Sequence, residues 1–150
     1  MIKLHDDEIV LDLSIEFKKS LFFHIKRKED NKHIGNCGLR LDKNKNNYIL
    51  GNIEYEVFNE YQGNNYAYKA CLLLGKVASM KGATSLILTA NPDNIASIKT
   101  IEKLDVRHLE VKKVPKTHYL YKKGDRYVTI YEWNIEGEIE NDRHKINKRK

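Results

Sequence analysis

Asn59-Glu60-Tyr61-Gln62-Gly63-Asn64-Asn65-Tyr66-Ala67 is a Gly/Asn-rich turn that leads straight into a helical pattern. From Tyr66 onward, Ala67, Ala70, Cys71, Leu74, Val77 and Ala78 recur at three- and four-residue spacing. That period predicts an amphipathic helix running to about Met80 and stopping at Gly82. Ser85-Leu86-Ile87-Leu88-Thr89-Ala90 is then a short continuous apolar run, which predicts a strand buried on both faces. A strand, helix, strand unit of this size implies a crossover onto a parallel neighbour. The turn itself presents backbone N–H groups at the positive end of a helix dipole, an arrangement suited to a pyrophosphate. Neither a Walker lysine with its Ser/Thr nor a GxGxxG run is present, so neither nucleotide fingerprint is met.

Upstream of the turn the period is two. Glu8 to Leu13, Leu21 to Lys26 and His33 to Leu41 are short, β-rich segments bounded by polar clusters. Lys43-Asn44-Lys45-Asn46-Asn47 reads as a hairpin turn, followed by a long strand from Tyr48 to Phe58 with Ile53, Tyr55 and Val57 on one face. The first 58 residues therefore read as an antiparallel meander. Downstream, Asn91-Pro92-Asp93 has the chemistry of a helix start, with Asn91 as cap and Pro92 at the first helical position. Ile95, Ile98, Ile101 and Leu104 supply that helix's buried stripe. His108 to Val114 and Tyr127 to Trp133 read as two closing strands, with a turn at Lys123-Gly124-Asp125 between them.

The chain has 150 residues, 41% hydrophobic and 32% charged, which suits one domain over 1–135 with a charged tail over 136–150. No apolar run approaches the roughly 18 to 20 residues that span a bilayer, so no membrane partner is expected. Neither an export nor an organelle signal is legible at Met1 to Asp7, and the expected location is cytoplasmic. The formal net charge is +6, while the tail holds four acids and five bases, so most of the excess lies in the folded part. This argues against a simple basic nucleic-acid arm, and a nucleic-acid-binding domain rests on net charge alone. Cys37 and Cys71 have no CxxC partner and read as buried reduced thiols. The six histidines show neither HExxH nor HxH spacing, so no metal site is expected. Exposed sheet edges make a homodimer a possible partner state.

Gln62-Gly63-Asn64-Asn65-Tyr66-Ala67, together with Asn94-x-x-Ser97-x-x-x-x-Glu102-Lys103-Leu104, resembles the GNAT superfamily of acyl-CoA-dependent N-acetyltransferases. The family's pyrophosphate loop is Gln/Arg-x-x-Gly-x-Gly/Ala. It is met at Gln62 and Ala67, with Asn65 where Gly is usual, and Asn is the residue that best tolerates φ > 0 after Gly. Asp105-Val106 stands where a Gly-Phe commonly follows the second motif. The resemblance implies an α/β fold with a mixed, mainly antiparallel twisted sheet of about six to seven strands, a central parallel pair and two main helices. Family members also carry two helices between the first two strands, whereas Ser14 to Ser20 leaves room for one turn at most.

By the same resemblance, acetyl-CoA is the co-substrate and an amine, on a small molecule or a peptide or protein, is the acceptor. The expected cofactor contacts are Tyr55, Glu56 and Val57 along the strand, Gln62, Gly63, Asn64, Asn65, Tyr66 and Ala67 in the loop, and Asn94 and Ser97 on the second helix. The acceptor must lose a proton before it attacks, and the leaving thiolate must gain one. Glu54 and Glu56 are candidates for the base, and Glu54, Tyr55 and Ser97 form the expected catalytic set. The family's usual acid, a Tyr on the second helix, is replaced by Ile101, leaving Ser97, Thr100, Tyr119 or Tyr121 as alternatives. The competing reading is a coenzyme A-binding regulatory module that keeps the fold without efficient chemistry.

Overall fold

Leu21, Phe23 and Ile25 alternate with Phe22, His24 and Lys26, and only the first set is buried. Such a two-residue period lets one sheet face cover a core while the other meets solvent. The computed structural model describes residues 4–137. It runs β1 (Ile9–Phe17), β2 (Ser20–Arg27), β3 (Lys32–Arg40), α1 (Lys45–Leu50), β4 (Ile53–Val57), a 3₁₀ turn (Asn59–Tyr61), α2 (Tyr66–Met80), β5 (Ser85–Ala90), α3 (Ile95–Glu102), β6 (Val106–Lys113), α4 (Tyr119–Lys123) and β7 (Tyr127–Asn134). The helix from Tyr66 and the strand from Ser85 fall where the sequence places them. Of the tail expected over 136–150, residues 138–150 lie outside the described residues.

The seven strands do not form one sheet with a central parallel pair. They form two antiparallel sheets, one ordered β1-β2-β3-β4 and the other β5-β7-β6. β4 and β5 are tied together through Asn52, the residue before β4, and Ile87, the third residue of β5: the Asn52 N–H donates to the Ile87 carbonyl, and the Ile87 N–H donates to Asn52 Oδ1, both at 2.7 Å. No ladder joins the two strands beyond that point among the described residues. Gly51, at φ 92°, brings the backbone close enough for this contact, since a Cβ there would lie 3.3 Å from Thr89 Oγ1.

Three local expectations are corrected. The polar run at Lys43 to Asn47 is no hairpin turn: Asn44 accepts the Asn47 N–H at 2.8 Å and caps α1, so the strand expected from Tyr48 begins only at Ile53. Asn favours a cap as readily as a turn, and the buried Ile49 decided between them. The second helix starts one turn late, capped by Asn94, while Asn91 accepts from the Asp93 N–H and donates to Asp125. Ile95 is therefore 58% exposed, and the stripe is carried by Ile98, Ile101 and Leu104. Finally, β1 does not end at Leu13 but extends to Phe17 and turns through Lys18-Lys19 directly into β2, within the single turn at most that Ser14 to Ser20 allows.

α2 lies across the buried face of the first sheet and continues onto the second. Ala70, Cys71, Leu74 and Val77 pack with Ile9, Phe23, Cys37, Ile53, Leu86 and Trp133 in one core. A smaller cluster of Ile49, Val114, Val128 and Ile130 sits beneath α1. Gly75 marks the closest approach of α2: a Cβ there would fall 2.5 Å from Cη2 of the buried Trp133. Gly75→Ala should therefore destabilise the fold by about 1–2 kcal/mol, because overpacking outweighs the helix-propensity gain of about 0.5–1 kcal/mol. Urea denaturation of the two proteins checks this, and a more stable variant would refute it.

Candidate active site

Chain geometry at the end of β4 builds the site. Phe58 donates its N–H to Ile34 and Arg40 donates to the Asn52 carbonyl, so the even-numbered residues of this segment bond toward β3. Antiparallel alternation then directs the main-chain groups of Ile53, Tyr55 and Val57 to the opposite edge, facing β5. The Val57 carbonyl on that edge accepts from Gln62 Nε2 at 2.9 Å, which ties the following loop to the strand. Asn64 closes the loop by donating to the Tyr61 carbonyl at 3.0 Å, and Gly63 takes φ 88°.

Asn65 is the N-cap of α2 in the left-handed region, φ 63°, yet its side chain makes no capping bond. Its Oδ1 accepts instead from Lys103 Nζ, at the end of α3. The first N–H groups of a helix have no intrahelical acceptors, so the first turn of α2, at Tyr66 and Ala67, stays open to an external acceptor. No acid occupies that turn. Lys103 also lies 5.9 Å from the Tyr68 ring centroid, which places a cation over the loop that the sequence reading assigned no role. The signal was present, since Lys103 stands inside the second motif. Lys69, one turn further along α2, is committed elsewhere, to Asp6, Asp7 and Glu8 at 2.7–3.6 Å. Burial opposes its charge, but the hydrogen bonds that Lys69 donates to Asp7 and Glu8 outweigh that and raise its pKa.

Two of the residues singled out in the sequence, Tyr55 and Ser97, are in contact. The Tyr55 hydroxyl lies 2.7 Å from Ser97 Oγ, a bond that reaches from β4 to α3, and Asn94 accepts the Ser97 N–H at 3.2 Å. Burial raises the Tyr55 pKa, the buried Cys71 adds to this, and the bond to Ser97 opposes it. The hydroxyl thus holds its proton well beyond neutral pH. Glu54 and Glu56 are not brought to this pair. The β3–β4 register is unbroken from Leu39↔Ile53 to Gly35↔Val57, so with no bulge both carboxylates project from the opposite face. There Glu54 pairs with Arg40 at 2.9 Å and Glu56 accepts from Asn36 at 3.1 Å. Of the alternative acids, Thr100 donates to the Ala96 carbonyl within its own helix, and Tyr119 and Tyr121 belong to α4. Tyr48 is turned away from this site and donates to Glu110.

Both thiols are buried beneath the site. Burial pushes Cys71 up to about 12 and raises Cys37 as well, each from an ordinary 9.0. A group whose pKa is raised on folding keeps its proton when the unfolded chain has lost it, so stability falls as pH climbs above 9. The expected slope is up to about 1.4 kcal/mol per pH unit for each thiol between pH 9 and the folded value. Urea midpoints at pH 7.5 and 10.5 measure it, and Cys71→Ala should flatten the dependence; an equal slope in that variant would contradict the assignment.

Residues 7–107 match the acetyltransferase (GNAT) domain family. No curated protein matches the chain. Among solved structures, a ribosomal-protein alanine acetyltransferase from Vibrio fischeri is similar at 18% identity and TM-score 0.62, over 77% of this chain and 62% of that one. The ribosomal-protein α-N-acetyltransferase RimL in complex with coenzyme A is similar at 19% identity and TM-score 0.61, over 79% and 63%. A microcin self-immunity acetyltransferase, MccE, in complex with acetyl-CoA and AMP is similar at 20% and 0.59, over 76% and 60%. The chain thus spans under two thirds of the length of these three structures. With the family's two motifs placed on the β4–α2 loop and on α3, and the family match covering residues 7–107, the chain belongs to the GNAT acetyltransferase domain family.

Proposed function

We propose that the chain transfers an acetyl group from acetyl-CoA to a primary amine of a small molecule or of a peptide or protein, by direct attack on the thioester. The observation that carries this is α2, whose cap residue is turned aside to Lys103 and whose first turn, free of acids, lies beside the open edge of β4. Gln62 to Ala67 and Lys103 would hold the diphosphate, while the main-chain groups of Tyr55 and Val57 face the gap that the pantetheine arm would enter. Acetyl-CoA supplies an activated acyl group. Glu54, on the outer face of β4 and paired there with Arg40, would take the acceptor's proton. On the opposite face, the Tyr55 hydroxyl, kept protonated by burial and bonded to Ser97, would return one to the departing sulfur.

A second reading, a coenzyme A-binding module without efficient chemistry, is favoured by one observation. The helix position where the family places its acid is Ile101, which is 1% exposed and buried in the core. Thiol release separates the two readings. Mixing the protein with acetyl-CoA and an amine-terminated peptide or a polyamine should liberate coenzyme A in proportion to acceptor and protein. Tight acetyl-CoA binding without acceptor-dependent release would overturn the enzymatic reading in favour of the module.

A further inference from the structure

Two clefts lie end to end away from the α2 loop, sharing Asp42 and Lys43 as walls. The larger, about 790 Å³, is floored by Tyr48, Ile49, Leu86, Ile87 and Pro115, with α1 as one side. The other, about 620 Å³, runs between the β1–β2 turn and the end of α2. Their rims carry Lys18, Lys19, Lys43, Lys45, Lys81 and Lys112, all exposed, against three carboxylates, Glu16, Asp42 and Glu132. Among the described residues one of these lysines has an ion pair, Lys19 with Asp42 at 3.5 Å. The larger cleft reaches Asn52 and Ile87, the junction from which β4 carries Glu54 and Tyr55.

We propose that this groove binds an acidic peptide segment with interspersed apolar residues, belonging to a protein acceptor and lying just beyond the amine to be acetylated. The proposal rests on the acetyltransferase reading and adds a substrate class to it. Charge complementarity selects an anionic occupant. The apolar floor selects a peptide, because an extended chain sends alternate side chains to floor and rim. Nucleic acid fits less well: stacking platforms use successive aromatic and guanidinium planes, whereas the lining holds one aromatic, Tyr48, whose hydroxyl is engaged by Glu110, and no arginine.

The test uses the full chain and three peptides of equal length with free N-termini: one alternating Glu or Asp with Leu or Ile, one with Lys in place of the acids, one with Gln. The acidic peptide should bind tightest and weaken as salt is raised. The paired change Lys43→Glu with Lys45→Glu should weaken it roughly tenfold, and Lys112→Glu should act in the same direction. Lys32→Glu, outside the groove, should not. Lys45 opens α1, where an acid suits the helix dipole, so the paired variant should stay folded; Lys112, on β6, provides an independent check. An acidic peptide that binds no better than the Gln peptide, one unaffected by charge reversal, or one displaced by equimolar oligouridylate would overturn the proposal. Acetyl-CoA titrated into the same samples keeps the two readings separate: charge-dependent peptide binding without acetyl-CoA binding sinks the enzymatic reading and supports the groove.

Discussion

Asn65→Asp weakens acetyl-CoA binding by between roughly tenfold and several hundredfold while leaving the fold as stable as before, or more so. The binding loss follows from placing a carboxylate within about 4 Å of a bound phosphate, where repulsion between unit charges is worth about 1–4 kcal/mol at effective dielectrics between water and a protein surface. The stability gain follows from the same carboxylate standing at the N-terminus of α2, where a negative charge contributes about 0.3–1 kcal/mol to the helix. Few substitutions separate the two quantities so clearly, because a residue that merely holds the loop together would lower both. Asn65→Gly is the companion variant. It accepts φ 63° without strain, removes the tie to Lys103 and adds no charge, so it should bind within a few-fold of the parent. Calorimetry and thermal melting of the three proteins check the set; parent-like affinity in Asn65→Asp would mean that the diphosphate lies elsewhere.

Tyr55→Phe should lower kcat about 100-fold with little change in the KM for acetyl-CoA, the scale expected when one proton donor is lost. Its ring stays against the core, and the lost hydroxyl costs about 1 kcal/mol of stability through the bond to Ser97. Ser97→Ala, which keeps the hydroxyl of Tyr55 and removes its partner, should cost less in kcat. Because burial holds the Tyr55 proton well above its ordinary value of 10.0, the parent's kcat should show no alkaline loss from this group up to about pH 10. A Tyr55→Phe protein that retains kcat but raises KM would assign Tyr55 to cofactor positioning instead.

The parts of the fold legible in the sequence were those set by one strong period. α2 and the position of β5 read correctly because Ala70, Cys71, Leu74 and Val77 repeat helically and Ser85 to Ala90 is unbroken. β5 buries only Leu86, Leu88 and Ala90, however, so it is not the strand buried on both faces that the run predicts. α1 was missed because Asn44 to Asn47 is equally good turn chemistry, and only Ile49 packing beneath the second sheet selects the helix. The two-sheet arrangement was invisible for a different reason. Whether β4 and β5 pair along their length or only at Asn52 and Ile87 depends on the path between them, which no local pattern encodes. In the site, the bond between Tyr55 and Ser97 depends on how α3 packs against β4, which no local pattern encodes, while the carboxylate positions hinged on a bulge in β4 that is absent. Lys103 lay within a motif but gained its role only from the packing of α3 beside the α2 loop.

If the first turn of α2, where Asn65 makes no capping bond, is a diphosphate cradle, calorimetric titration of the full chain with acetyl-CoA will show it. Binding should be seen with acetyl-CoA and with dephospho-coenzyme A, which keeps the diphosphate, and should be weakened in parallel for both by Asn65→Asp. No heat of binding with either ligand, or binding indifferent to that substitution, would contradict the claim.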